Sequence, residues 1–190
     1  LSNEWEIQND SSLKGVNFMF FLQMAGFPGS GKSTLSRLIA KNTGAIVIDH
    51  DIVKSPLLES LGPTVDSKEV GKISYDIEWS LIDFHLSLGN NVILDSPCFY
   101  TELVEKGTLL TKKHNAKYKF VECYLNNFDE INYRLKKRER MISQIHEAKN
   151  EEAFLEWVNN TKRPTHDYLI VETANPIESY FNEVMKYLNN

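Results

Sequence analysis

Five short apolar runs punctuate the chain: Phe18–Ala25, Ala45–Ile48, Val92–Leu94, Tyr118–Leu125 and Tyr168–Val171. Each is strand-sized and bounded by turn formers or charged residues, which predicts five buried β-strands. The stretches between them carry helical spacing instead. Leu35, Leu38 and Ile39 recur at threes and fours, and Asn42-Thr43-Gly44 stops that helix. A short helix is expected from Ile52 to about Leu61, interrupted by Pro56. A long one follows from about Asp66 to Leu88, with Val70, Ile73, Ile77, Leu81, Phe84 and Leu88 as its expected buried face. Further helices are predicted at about 101–113, 128–149 and 151–159, and Ile177, Tyr180, Phe181, Val184 and Leu188 mark a closing one. Strands alternating with helices predict a parallel sheet covered on both faces. Residues 18–190 therefore read as one domain, preceded by a polar arm or extra edge strand at 1–17.

The first strand runs directly into Gly26-Phe27-Pro28-Gly29-Ser30-Gly31-Lys32-Ser33-Thr34, and a helix begins there. This is the phosphate-binding pattern G-x-x-x-x-G-K-[ST] in the strand–loop–helix setting it requires. Glycines let backbone N–H groups close around phosphate oxygens, and the helix N-terminus adds positive potential. Lys32 is placed to reach the outer phosphates and Ser33 to ligate Mg²⁺. The chain is expected to bind a nucleoside triphosphate. No guanine-specific N-K-x-D sequence accompanies the loop, which favours ATP.

In open parallel sheets the ligand sits beyond the C-terminal strand ends. Two further acids fall there. Asp51, with Asp49 two residues before it, follows the second strand and is the candidate base for an attacking hydroxyl. In an extended chain Asp49 and Asp51 point to the same side, and Asp51 also suits a helix cap. Asp95 ends the third strand and is the candidate Mg²⁺ partner of Ser33. Lys54, one turn past Asp51, is a candidate contact for an anionic substrate. Arg134 and Arg138 are four apart, hence on one expected helical face, where they would neutralise a transferring phosphoryl group; Arg140 is a weaker candidate. Arg163 and Thr173–Pro176 flank the last strand and fit either an adenine border or simple turn formation. The histidines show no metal-ligand spacing, and Trp5, Trp79 and Trp157 read as packing residues.

Composition narrows the partners. A formal net charge of −5 argues against bulk nucleic-acid binding, although lysines and arginines gather at 112–119 and 134–140. No apolar run approaches the roughly 20 residues needed to span a bilayer, so no membrane partner is expected and a cytoplasmic location is the default. Cys98 and Cys123 form neither a metal motif nor a disulfide framework.

The loop at 26–34, followed by Ile48-Asp49-His50-Asp51-Ile52-Val53-Lys54, resembles the small P-loop kinases. The nearest branch holds polynucleotide 5′-hydroxyl kinases, zeta-type toxins and chloramphenicol phosphotransferase. The resemblance spans about residues 18–189. It implies a three-layer P-loop NTPase fold, a five-stranded parallel sheet of order 2-3-1-4-5 and a helical lid, here about 128–160. It also implies a general-base aspartate, falling on Asp51, and lid arginines, falling on Arg134 and Arg138. Where the polynucleotide kinases carry a phosphate-binding arginine three residues past that aspartate, this chain has Lys54, which keeps the charge and loses the bidentate fork. The expected activity is transfer of the ATP γ-phosphate to a hydroxyl of a small molecule or a nucleic-acid end. The alternative is a nucleotide-dependent ATPase or switch that acts through a partner.

Overall fold

The computed structural model describes residues 18–190, so the expected arm or edge strand at 1–17 lies outside the described residues. Five strands, β1 (Phe20–Ala25), β2 (Ile46–Asp49), β3 (Val92–Asp95), β4 (Lys117–Tyr124) and β5 (Leu169–Glu172), form one sheet. All pairs are parallel and the order is β2-β3-β1-β4-β5, as expected. Between the strands run α1 (Lys32–Thr43), α2 (His50–Leu61), α3 (Ser67–Ser87), α4 (Thr101–Lys113), α5 (Phe128–Lys137) and α6 (Glu151–Asn159), and α7 (Ile177–Asn189) closes the chain.

Every residue of β1 is fully buried, which is what a central strand with helices on both faces requires. Its one polar member, Gln23, is satisfied: it accepts from the Tyr118 hydroxyl at 2.8 Å and donates to Cys98 Sγ at 3.1 Å. On one face Leu35 and Ile39 of α1 meet Phe181, Val184 and Leu188 of α7. On the other, Trp79, Ile82 and Leu86 of α3 meet Leu103 and Val104 of α4. A third cluster joins Phe27 of the glycine-rich loop to Ile131 and Leu135 of α5 and to Phe154 and Val158 of α6. Helices α5 and α6 are thus packed against the glycine-rich loop.

Three local expectations are corrected. The buried face of α3 is not the richest apolar stripe. Val70, Ser74, Glu78, Ile82 and Leu86 face inward, and Ile73, Ile77, Leu81, Phe84 and Leu88 are exposed. Gly71 faces α2, with Lys54 Nζ 3.3 Å from where a Gly71 Cβ would stand, and buried Ser74 satisfies its hydroxyl on Val70 O at 2.7 Å. Helix α2 begins at His50 and continues through Pro56. Helix α5 ends at Lys137, and residues 138–150 are irregular rather than helical.

Gly107 on α4 lies against the sheet, where a Cβ would come within 2.7 Å of Tyr118 Cε2 and 2.8 Å of Phe21 Cε1. Alanine's helix propensity would favour the substitution by about 1 kcal/mol, against an overpacking cost of about 1–3 kcal/mol. Gly107→Ala is expected to lower stability in chemical denaturation; a gain would contradict the tight α4–sheet packing.

Candidate active site

The loop from Gly26 to Ser33 is built on a backbone that side chains would obstruct. Gly26 has φ 129° and a Cβ there would lie 2.3 Å from the Cys123 carbonyl oxygen of β4. Ser30 N–H donates to Phe27 O at 3.0 Å and closes the turn. Gly31 is the N-cap of α1 at φ 95°, and Lys32 and Ser33 form the first turn. Lys32 folds back over the loop, donating to Gly26 O at 2.9 Å and Phe27 O at 3.2 Å. Burial pushes its pKa down, opposed by the carboxylate charges of Asp95 and Asp51. The Ser30 hydroxyl is buried and finds no partner among the described residues.

A cavity of about 910 Å³ opens above the strand ends. It is lined by Gly29, Gly31, Lys32, Ser33 and Thr34 on the loop side, and by Asp49, His50, Asp51 and Lys54 beside β2. Asp95 lies on its floor and Arg134 and Arg138 on its roof. The structure therefore brings the loop, Asp49, Asp51, Asp95, Lys54, Arg134 and Arg138 to one space.

Roles within it are sharper than the sequence implied. Asp49 is the cap of α2, its Oδ1 accepting from Asp51 N–H at 2.9 Å, so Asp51 sits inside the first turn and not in the extended chain. Asp51 Oδ1 accepts from Ser143 Oγ at 2.6 Å, and Oδ2 accepts from Gln144 Nε2 at 2.9 Å. Asp95 pairs in register with Asp49 and accepts from Ser36 Oγ at 3.1 Å. Ser36, one turn past Ser33, ties the acid to the helix that carries the loop. Nothing in the motif pointed to it.

The two arginines do not share a helical face. Arg134 is on α5, donating to Glu130 Oε1 at 2.7 Å and to Thr173 O at 2.9 Å beyond β5. Arg138 is the C-cap of α5 in extended conformation, and its Nη2 donates to Ile145 O at 3.0 Å. Its buried Nε has no partner among the described residues. Burial lowers the Arg138 pKa, while the Asp51 charge raises it. Arg140 is exposed and donates to Gln144 O. Arg163, an adenine-border candidate, makes a two-pronged ion pair with buried Glu122 of β4. Trp157, expected as a packing residue, is set against Phe27 and Phe99, is 45% exposed and lines the cavity.

A polar cluster the sequence did not suggest stands behind Asp51. His50 Nδ1 lies 2.8 Å from Glu78 Oε1, and the Tyr75 ring stacks on His50 at 4.4 Å. Glu78 is fully buried, and burial raises its pKa against the opposing pull of His50. The one available signal was a glutamate in register with Val70, Ile82 and Leu86 on α3.

Asp49 is 7% exposed, and burial first, then Asp95, raises its pKa from 3.8 to about 6. For a raised carboxyl the stabilising contribution is present below pH 3.8 and is lost as pH rises through about 6. Two units correspond to on the order of 2–3 kcal/mol. Asp49→Asn keeps a good cap and is expected to stabilise relative to wild type at pH 7.5 and much less so at pH 4.5. Equal effects at both pH values in denaturant titrations would contradict the assignment.

Residues 22–164 match a protein family described as AAA domain. No curated protein matches the sequence significantly. Among solved structures, a candidate kinase from Chloroflexus aurantiacus superposes with a TM-score of 0.72 at 20% identity, covering 90% of this chain and 97% of its own. The APS kinase of Mycobacterium tuberculosis, solved in complex with AMPPNP and APS, gives 0.61 at 17% identity, with 91% and 99% coverage. A gluconokinase from Sinorhizobium meliloti gives 0.58 at 18% identity, with 90% and 92% coverage. At these identities the likeness is one of fold. The family match spans most of the chain, so the chain belongs to the AAA domain family, and its fold is that of the small P-loop kinases.

Proposed function

We propose that the protein is an ATP-dependent phosphotransferase that moves the γ-phosphate to a hydroxyl group of a small acceptor. The observation that carries this reading is the placement of Asp51. A carboxylate on the first turn of α2 lines the same cavity as Lys32 and Arg138, and its charge is felt at both. On that side Lys54 adds a positive charge, which an anionic acceptor would use and an attacking water would not.

In this reading the N–H groups from Gly29 to Thr34 and the Lys32 ammonium hold the β- and γ-phosphates. Lys32 exchanges its bonds to Gly26 O and Phe27 O for bonds to phosphate oxygen. Hard oxygen donors suit Mg²⁺, and the Ser33 hydroxyl with the buried Asp95 carboxylate provides them. Mg²⁺, when bound, neutralises phosphate charge. Asp51 accepts the acceptor's proton as the new P–O bond forms. Arg138, with an Nε awaiting a partner, stabilises charge on the transferring group. Arg134, tied to Glu130 and Thr173, holds α5 against the sheet and presents its remaining donors to the cavity. The seating of Phe154 and Trp157 on Phe27 keeps water out when the lid is down.

The acceptor side is bounded by Lys54, His50 and Met141. It suits a small polar or anionic hydroxyl compound, and the neighbours' acceptors differ widely enough that none is transferred here. An exposed nucleic-acid end stays within the class, although a lone lysine at 54 recognises phosphate less specifically than an arginine fork.

Lys32→Ala is expected to abolish ATP binding in calorimetry, and unchanged affinity would overturn the loop's role. Asp51→Asn is expected to keep ATP affinity and lower kcat for transfer by about 10²–10⁴-fold; near wild-type transfer would remove Asp51 from the mechanism. Arg138→Ala is expected to lower kcat by about 10²-fold or more. A loss confined to nucleotide affinity would count against its role at the transferring group.

A further inference from the structure

The candidate base already holds a hydroxyl. Ser143, in the irregular segment between α5 and α6, donates its Oγ–H to Asp51 Oδ1 at 2.6 Å, short enough for a charge-assisted O–H···O⁻ bond. Its other side-chain neighbour is Ser55 of α2, Oγ to Oγ at 2.9 Å. A hydroxyl has one proton to give and two lone pairs to offer. With the Ser143 proton committed to Asp51, Ser55 is the donor in that pair, and one lone pair of Ser143 stays free. Ser143, Asp51, Lys32 and Arg138 all line the same cavity. This is the arrangement that an acceptor alcohol adopts against a general base.

The segment does not need that hydroxyl to stay in place. Arg138 Nη2 donates to Ile145 O at 3.0 Å, Arg140 Nη1 to Gln144 O at 3.2 Å, and Gln144 Nε2 reaches Asp51 independently. Asn132 exchanges two hydrogen bonds with the Ala148 backbone further along. The serine adds a nucleophile where an anchor is already supplied.

We propose that Ser143 is a phosphorylation site that the enzyme modifies on its own chain, an inference that rests on the kinase reading above. Asp51 takes the Ser143 proton and the Ser143 Oγ–P bond forms. The bond between the γ-phosphorus and the β,γ-bridging oxygen breaks, and its electron pair leaves with the nucleoside diphosphate. Reaction within one chain makes the step unimolecular. The product carries close to two negative charges beside Asp51 and has lost the proton it donated, so the modified segment is repelled from the base.

The test is intact-mass and phosphopeptide analysis of the full chain incubated with ATP and Mg²⁺, alongside calorimetric ATP binding and transfer to added acceptors in the same preparation. The expected result is one phosphoryl group on Ser143, at a rate constant unchanged by dilution. Asp51→Asn should slow it by about 10²-fold or more, and Ser143→Ala should abolish it. In nucleotide-free protein, Ser143→Asp should speed hydrogen exchange across residues 138–150 several-fold. Protein that binds ATP and phosphorylates an added acceptor yet leaves Ser143 unmodified would overturn the inference and leave the kinase reading standing. Protein that binds ATP and transfers to neither would overturn both. A rate proportional to protein concentration, or one unaffected by Asp51→Asn, would overturn the cis reaction drawn here.

Discussion

The close approach of Gly26 to the end of β4 governs the rest of the site. With 2.3 Å between a notional Cβ and the Cys123 carbonyl, the loop lies directly on the sheet's edge of carbonyls. That contact fixes where α1 starts, and α1 carries Lys32, Ser33 and Ser36. Ser36 then holds Asp95, and Asp95 stands in register with Asp49, the cap that starts α2 and so aims Asp51. One backbone contact, two hydrogen bonds and the β2–β3 pairing thus connect the loop to the candidate base across four strands. Burial raises the cost of misplacing any of them, because Asp95, Asp49 and Lys32 are all nearly inaccessible.

Residues 128–160 are held to this frame in two different ways. Their apolar underside packs Phe154 on Phe27 at 5.0 Å, edge to face, an interaction without charge that tolerates sliding. Their tip is held by polar contacts to Asp51, which exchange readily for other donors. Arg138 sits at the junction of the two regions, where helix α5 gives way to irregular chain.

Much of this was legible in the sequence, and each exception has its own physical cause. The strands were visible because apolar runs in a parallel sheet are continuous, and the loop because its glycines, Lys32 and Ser33 have fixed spacing. Asp51 and Asp95 followed from their position at strand ends. The buried face of α3 did not follow, because counting apolar residues overlooks a face that buries Gly71, Ser74 and Glu78 among Val70, Ile82 and Leu86. Arg138 was assigned to a helix that ends one residue earlier, since charged residues at 134–140 fit a helix as well as its cap. Ser143 and Gln144 lie about 90 positions from Asp51, and no local pattern announces a contact across that separation. Glu78 was hidden differently, as an acid on a face that the apolar count had turned outward.

The central claim is that the γ-phosphate goes to a hydroxyl and not to water. Following γ-labelled ATP in the presence of pooled sugars, nucleosides, metabolites and 5′-hydroxyl oligonucleotides tests it most directly. The account predicts label in an organic phosphate ester, with Asp51→Asn losing that product while still binding ATP. Label recovered as inorganic phosphate alone, across a pool broad enough to include each acceptor class, would contradict it.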